Sequence, residues 1–340
     1  MKDSLLHRIE EIQEKITFSG AVLVKGNNQT LAEVSYGYAN RSEQIKISSH
    51  TRFGIASGCK LFTSIAICQL VEAGKLSFDT KLKECLTDPF PHFSEDITIH
   101  HLLTHTSGIP DYFDEENMDD FEELWVKNPM YHMRTLEDFL PLFQNNKMKL
   151  QLGERFHYNN AGYILLGLIV EKVSQLTFSD YVEEYIFNKA GMGQSGYFEL
   201  DSLPERTALG YIELPNGKWK TNIYSLPVKG GADGGAYITV HDMDDLWDAL
   251  ISNQLLTEEY TNKLLTPHVS TKTIGSFYGY GIWIDKNDHD IFKYHVMGYD
   301  PGVSFHSAFY PQKSIKAVIC SNKSEGAYEM MKEIEEEILI

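Results

Sequence analysis

Cysteine is scarce in this chain of 340 residues, and its four thiols follow no pattern. Cys59, Cys68, Cys85 and Cys320 form no C-x-x-C pair and have no regular spacing. In a chain this long, scattered cysteines are typical of free thiols in a reducing compartment and argue against a disulfide framework. The length is enough for one large domain or two moderate ones with a substantial core.

Positive charge is also in short supply. The 30 lysines and arginines are outnumbered by 48 aspartates and glutamates, which leaves a formal net charge of −18. Nucleic acids and anionic membrane surfaces bind proteins through a basic footprint. We therefore expect neither as a partner, although a local cationic pocket is compatible with this balance.

Long apolar runs are missing as well. The longest, "AGYILLGLIV" at 161–170, is only half of the roughly 20 residues that a membrane-spanning helix needs. The first segment, "MKDSLLHRIEEIQEKI", predicts a charged amphipathic helix and lacks the apolar centre of a secretory signal. We therefore expect no membrane span and a cytoplasmic location.

Metal-binding motifs are equally sparse. His101 and His105 lie four residues apart in "HHLLTH", a spacing that places both on one face of a helix. No H-E-x-x-H glutamate accompanies them, and no acidic third ligand is evident from the sequence. We expect neither a metal nor a cofactor.

The patterns that are present change in order along the chain. Two β-rich segments around "GNNQ" predict a hairpin after the first helix, and residues 95–190 are predicted to be mostly helical. From about residue 205, successive antiparallel strands are predicted, followed by a last helix. We therefore expect an α/β (α+β) fold, with a discontinuous sheet domain (1–90 with 205–340) and a mostly helical domain (91–204).

The first candidate for chemistry is "FGIASGCKLFTSIAICQLVEAGKL" at 53–76, in which Ser57 and Lys60 open an apolar helix. Residues three apart share a helix face, and an amine beside a hydroxyl can accept the proton that activates a serine. The structural alternative is a capping serine and a surface lysine, but a buried lysine without a purpose is costly. Cys59 is expected to face away and pack, and its thiol is a minor alternative nucleophile.

The second candidate is the Y-x-N triplet of Tyr158 and Asn160, in "GERFHYNNAGYILLG". A phenol can relay protons, and an amide can bond a substrate. Two other such triplets, at 38–40 and 260–262, fall in the predicted hairpin and in a polar helix, where a structural role is the better interpretation. Tyr158 instead precedes an apolar helix, where a loop can present it to a cleft.

The third candidate is His295, on the predicted strand "KYHVMGYDPGVSF". A lone histidine on a strand is usually structural. The glycines and the proline that follow it indicate close backbone approach at a strand end, as a site requires.

These three elements in this order resemble the serine β-lactamase and penicillin-binding-protein superfamily, in particular its class C-like branch, which also holds esterases and D-amino-acid peptidases. "HLLTHTSGIPDY" at 101–112 and "GGADGGAYITVHDMDDLW" at 230–247 are similar to further family segments. The resemblance extends from about residue 15 to 325 and implies a β-lactamase/transpeptidase-like fold. In that fold an antiparallel sheet, flanked by the terminal helices, stands opposite a helical domain, with the site between them.

The resemblance also implies roles. Ser57 would attack a carbonyl, Lys60 and Tyr158 would share general-base and general-acid duty, and Asn160 would orient the substrate amide or Lys60. The backbone N–H groups of Ser57 and Gly298 would form the oxyanion hole, and His295 would stand where the family places a cation near a substrate carboxylate.

One position departs from the family pattern. The family usually has glycine two residues after the lysine or histidine of its third element, and here that residue is Met297. Because alternate residues of a strand share a face, Met297 is expected to lie in the cleft beside His295 and narrow it, unless a bulge intervenes. We then expect poor turnover of β-lactams and retained activity on small activated esters.

The expected function is that of a serine hydrolase acting through an acyl-enzyme on an amide or ester. A β-lactamase, a penicillin-binding or D,D-peptidase-like enzyme and an esterase are not separable from the sequence, because the family shares one acylation machinery. The expected partner is a small-molecule or peptide substrate, and the oligomeric state is not readable. The alternative is a non-catalytic binding protein that retains the scaffold, with Met297 as the sign of lost turnover.

Overall fold

The computed structural model describes residues 2–27, 29–288 and 290–338. The α-helices are α1 (Lys2–Ile16), α2 (Lys60–Glu72), α3 (Leu82–Cys85), α4 (Ile99–Leu103), α5 (Glu123–Lys127), α6 (Asn160–Ser174), α7 (Phe178–Val182), α8 (Asn188–Ala190), α9 (Val240–Ile251), α10 (Glu258–Leu264) and α11 (Ala327–Ile338). The strands are β1 (Gly20–Gly26), β2 (Gln29–Tyr36), β3 (Tyr38–Asn40), β4 (Ile45–Lys46), β5 (Phe53–Gly54), β6 (Tyr211–Glu213), β7 (Trp219–Thr221), β8 (Tyr237–Ile238), β9 (Val269–Ser270), β10 (Ser276–Tyr278), β11 (Trp283–Asn287), β12 (Asp290–Asp300), β13 (Val303–Tyr310) and β14 (Ile315–Ser321). Short 3₁₀ helices cover Ala56–Cys59, Met130–His132, Glu137–Leu142 and Pro215–Gly217, and a π-helical turn covers Glu183–Phe187.

The two ends of the chain build one sheet. Among the described residues, eight strands pair in the order β2-β1-β14-β13-β12-β11-β10-β9, and each neighbouring pair is antiparallel. The predicted hairpin is present as β1 and β2, and the predicted late strands are present as β11 to β14. Strand β1 pairs with β14, so the first and last strands are neighbours, second and third from one edge of the sheet.

The sheet is covered on both faces, as the nearly unbroken burial along β1, β13 and β14 requires. Helices α1 and α11 pack on each other and on one face, where their apolar side chains meet Val22, Val24 and Ile319. The opposite face carries the larger core, which includes residues of α2, α6 and α9. Helix α2 is apolar on all sides because it is buried on all sides.

The middle of the chain is less helical than its sequence predicts. The segment "TLEDFLPLFQNN" forms the 3₁₀ helix Glu137–Leu142, which contains Pro141 and therefore lacks one backbone donor. "EELWVKNPMYHM" is split into α5 and a 3₁₀ turn at Pro129. The division into domains at 91–204 stays a prediction, since one continuous apolar core includes residues from α2, α6 and α9.

No single helix among the described residues is long and apolar enough to cross a membrane. Helix α6 and the segment Phe178–Ala190 reach the length and apolar composition of a membrane span only when taken together, and they are bent by 78° relative to each other.

One edge of the sheet is open where it meets the helices. The pairing of β11 with β12 stops at Trp283 and His295, so in the described part of the chain Val296–Asp300 have a partner strand, β13, on one side only. Strand β12 is also in contact with the 3₁₀ helix Ala56–Cys59. The free edge of β12 and the start of α2 therefore face a common space.

Candidate active site

Ser57 lies in the 3₁₀ helix that leads into α2, directly after a strained residue. Ala56 has a φ of +44°, a left-handed conformation that residues with a Cβ rarely adopt and that is often found at functional sites. As the second residue of its helix, Ser57 has a backbone N–H without an intrahelical acceptor. The chain thus presents both the hydroxyl and a free amide donor at one point.

Lys60 is 1 % exposed, and its ammonium group has three acceptors. Its Nζ donates to Ser57 Oγ at 2.9 Å, to Asn160 Oδ1 at 2.8 Å and to the carbonyl oxygen of Asp233 at 2.7 Å. Burial disfavours the charged form, but Tyr158 and the carboxylate of Asp233 outweigh it, so the pKa of Lys60 stands above its ordinary value. The resting lysine is therefore protonated and held in a fixed position.

Tyr158 completes the group around the serine hydroxyl. Its ring lies 4.8 Å from Lys60 Nζ, and its hydroxyl interacts with both Lys60 and Ser57. Burial raises the pKa of Tyr158 to about 12, although the neighbouring lysine acts in the opposite direction. The ring stacks on Trp283 and packs on His105, which fixes its orientation.

Asn160 begins α6 and is held by the partly buried carboxylate of Asp111. Its backbone N–H donates to Asp111 Oδ2 at 2.7 Å, and its side-chain Nδ2 donates to the same oxygen at 3.3 Å and to the carbonyl oxygen of Phe113 at 3.2 Å. Its Oδ1 is thereby aimed at Lys60. Of the two roles expected for Asn160, orienting Lys60 is the one for which the structure provides contacts.

Three further residues of the site, Asp111, Tyr112 and Asp233, were not singled out from the sequence. Asp111 caps α6 from outside by accepting the N–H of Ala161 as well, at 2.9 Å. Asp233 supplies a carbonyl to Lys60, and its carboxylate accepts a hydrogen bond from Tyr112. All three lie in the segments "HLLTHTSGIPDY" and "GGADGGAYITVHDMDDLW", but nothing in the local pattern distinguishes them from ordinary loop residues.

The register of β12 differs from the expectation by one residue. A Cβ added to Gly298 would lie 2.8 Å from the amide nitrogens of Ser57 and Gly58, so Gly298 faces the serine. The pairing with β13 runs from Tyr294 to Asp300 without a shift, so no bulge intervenes. Because side chains alternate, His295 and Met297 point to the opposite face of the sheet.

The predicted place of His295 in the cleft is therefore wrong. Its Nδ1 lies 3.1 Å from His306 Nε2, and its Nε2 lies 3.3 Å from a carboxylate oxygen of Asp285. Burial lowers the pKa of His295. The predicted narrowing of the cleft by Met297 is wrong for the same reason. The glycine of the third element is Gly298 itself, and the residue two positions before it is Val296.

The same register changes the expected backbone donor. Asp300 and Val303 pair across the two-residue turn at 301–302, and residues in that position exchange both backbone hydrogen bonds. Alternation then directs the N–H of Gly298 towards β13 and the N–H of Tyr299 towards the open edge. The second free amide donor beside Ser57 is therefore that of Tyr299, where Gly298 was expected.

The other candidate residues of the sequence do not take part in the group around Ser57. Cys59 is fully buried, its sulfur contacts the carbonyl oxygen of Gly231 at 3.7 Å, and burial raises the pKa of its thiol to about 12. His101 caps α4 together with Thr98, whereas the Nδ1 of His105 accepts the N–H of Asn159. The other two Y-x-N triplets lie in β3 and α10, outside the cavity described next.

A cavity of about 540 Å³ opens in front of Ser57. Its walls include Asn160, Asp233, the end of β12 and a large share of aromatic residues: Phe53, Tyr112, Phe113, Phe121, Phe139, Phe198 and Tyr237. A hydroxyl hydrogen-bonded to an amine, a neighbouring phenol and two free amide donors at the floor of such a cavity can carry out acyl transfer.

The chain is similar to several known proteins. A penicillin-binding protein from Bacillus halodurans has a crystal structure that superimposes with a TM-score of 0.93 at 60 % identity, covering 97 % of this chain and 99 % of that one. Penicillin-binding protein 4* of Bacillus subtilis (strain 168) is 28 % identical over 334 residues, which are 93 % of this chain and 70 % of the relative. The D-amino acid amidase from Ochrobactrum anthropi SV3 shares the fold, with a TM-score of 0.84 at 18 % identity over 100 % of this chain and 99 % of that one.

These likenesses confirm the predicted β-lactamase/transpeptidase-like fold and the class C-like branch. They also support a hydrolase of the serine type. The model of the family described as Beta-lactamase matches residues 7–338, and the chain belongs to that family.

Proposed function

We propose that this protein is a serine hydrolase that acts through an acyl-enzyme, with Ser57 as the nucleophile. The observation that carries the proposal is the 2.9 Å contact between Lys60 Nζ and Ser57 Oγ, made by a buried lysine whose other two hydrogen bonds hold it in place. Surface lysines do not take such positions, because burying an ammonium group is costly unless it is fully bonded.

The proposed reaction begins with attack by Ser57 Oγ on the carbonyl carbon of an amide or ester. The serine proton passes to the Lys60–Tyr158 pair in its deprotonated form, and the carbonyl electrons move to the oxygen. The amide groups of Ser57 and Tyr299 are placed to bond that oxyanion, a contribution that is typically worth about 3–4 kcal/mol per donor. The leaving group takes the proton from the pair as it departs, and water then attacks the acyl-enzyme by the same steps.

The Lys60–Tyr158 pair acts as one base. Lys60 holds a proton and Tyr158 holds another in the resting state, since the pKa of each is raised. The reactive form has one proton fewer, shared between the amine and the phenol, so its pKa belongs to the pair. Asn160 acts through Lys60 and is a positioning residue.

The substrate is an amide or ester of a small molecule or peptide. The non-catalytic alternative depended on Met297 as a defect of the site. Because Met297 lies on the other face of the sheet, this reason for expecting lost turnover no longer applies. A cytoplasmic location remains a prediction from the sequence.

The test is covalent labelling followed by intact mass spectrometry. Incubation with a fluorophosphonate should add one adduct to the wild type and none to Ser57→Ala, while Cys59→Ala should label as the wild type does. Hydrolysis of p-nitrophenyl acetate should follow the same order. Labelling that survives Ser57→Ala and disappears in Cys59→Ala would assign the nucleophile to the thiol.

A further inference from the structure

The cavity in front of Ser57 is acidic. Its described walls carry six carboxylates, on Glu115, Asp119, Asp120, Glu122, Asp233 and Asp300, and one lysine. That lysine, Lys220, forms an ion pair with Glu122 at 2.7 Å. Lys60 donates its three hydrogen bonds to protein acceptors. Among the lining residues that the structure describes, no cation is left to receive an anionic substrate group.

The position that the family resemblance reserves for a cation is apolar in this chain. With Gly298 against Ser57, the residue two positions earlier on the same face is Val296, which is 2 % exposed and packs in the core with Ile55 and Phe305. A substrate carboxylate at this point would lose its water and gain no ionic partner.

Asp300 occupies the opposite end of the same strand face. It lies two residues beyond Gly298, or roughly 7 Å along the strand, and its side chain faces the cavity. Burial and the nearby negative charge of Asp233 raise the pKa of Asp300 to about 7, although Lys60 acts in the opposite direction. Two carboxylates near each other and partly withdrawn from water are unfavourable without a cation between them.

We propose that the acyl part of the substrate carries a protonated amine next to the scissile carbonyl, and that Asp300 binds this ammonium group. The substrate class is then aminoacyl amides and esters, with an apolar or aromatic side chain that matches the aromatic walls of the cavity. In such a substrate the amine lies about 2.5 Å from the carbonyl carbon, so an amine directed along β12 from Ser57 would approach Asp300. This inference rests on the proposed serine hydrolase and names its substrate class.

The test compares three chromogenic substrates with one side chain: phenylalanine p-nitroanilide and its N-acetyl and N-succinyl derivatives, in both enantiomers. The free amine should be preferred over the N-acetyl form by tenfold or more in kcat/KM, and the N-succinyl form should be poorest. Asp300→Asn should reduce the preference for the free amine by about 10- to 100-fold, since hydrogen bonds to charged groups contribute that much. The same substitution at an exposed carboxylate, Asp88→Asn, is the control and should leave the preference unchanged.

Fluorophosphonate labelling of each variant separates the two proposals. If Ser57 labels but the N-acetyl or N-succinyl substrate is preferred, or if Asp300→Asn leaves the preference intact, the inference about the amine is refuted and the hydrolase stands. If Ser57 does not label and no ester is hydrolysed, both are refuted.

Discussion

Replacing Gly298 by alanine should push the open edge of the sheet away from Ser57. An alanine Cβ at this position would lie 2.0 Å from the carbonyl oxygen of Ile55 and 2.8 Å from the amide nitrogens of Ser57 and Gly58. These neighbours are backbone atoms of the turn that carries the nucleophile, so they cannot rotate away as a side chain would. Because Cβ atoms do not approach such atoms within 3.0 Å, strand and turn must separate by roughly 1 Å.

A separation of that size displaces the amide of Tyr299 from the place where the oxyanion forms. A 1 Å misplacement in a catalytic group typically costs about 100-fold in rate. We therefore expect kcat/KM for p-nitrophenyl acetate to fall by roughly that factor in Gly298→Ala, with the loss mainly in kcat. Steady-state kinetics on the purified variant, with circular dichroism to check the fold, measure this effect.

The matched control is Gly193→Ala, since a Cβ at Gly193 meets nothing within 4 Å and its backbone does not require glycine. That variant should keep the activity and thermal stability of the wild type. If Gly298→Ala folds and retains activity within about threefold, a difference below 1 kcal/mol, then β12 does not form a wall of the reacting site and the register argument fails.

Three further predictions concern the base, the far face of β12 and the cap of α6. The kcat/KM should rise about tenfold per pH unit between about pH 7 and 10, because the reactive form of the Lys60–Tyr158 pair has lost a proton and the pKa of Tyr158 is raised to about 12. A plateau below about pH 8 would mean that a group of lower pKa is the base. Tyr158→Phe should lower kcat by about 10²- to 10⁴-fold. Met297→Gly should leave the ratio of cephalosporin to p-nitrophenyl ester turnover within about threefold of the wild type, since this side chain lies on the far face, whereas a rise of tenfold would return it to the site. Asp111→Asn should lower the free energy of unfolding by about 1 kcal/mol and slow acylation, because it weakens the bonds that hold Asn160 at the start of α6; an unchanged melting temperature together with an unchanged labelling rate would contradict this role.

Much of the fold could be predicted because its signals are local. The β1–β2 hairpin follows from two β-rich segments around a turn, and helix α2 follows from its apolar length. The middle of the chain was harder to predict because its helices are short and several are 3₁₀ turns, whose period the apolar pattern does not distinguish. Pro141 and Pro129 mark two of these breaks, because proline lacks the backbone donor that a continuing helix needs.

The sequence by itself determined the contact between Ser57 and Lys60, because residues three apart meet on any helix and no distant part of the chain is needed for it. It also determined that the last third of the chain forms successive antiparallel strands before a final helix. The environment of that lysine was decided only by the tertiary structure, which brings Asn160 and the carbonyl of Asp233 from more than 90 residues away. The tertiary structure also decided which face of β12 is directed at Ser57. Alternation relates the residues of a strand to one another, but which set faces the nucleophile depends on packing. Only Gly298, lacking a Cβ, allows the strand to approach the turn that carries Ser57.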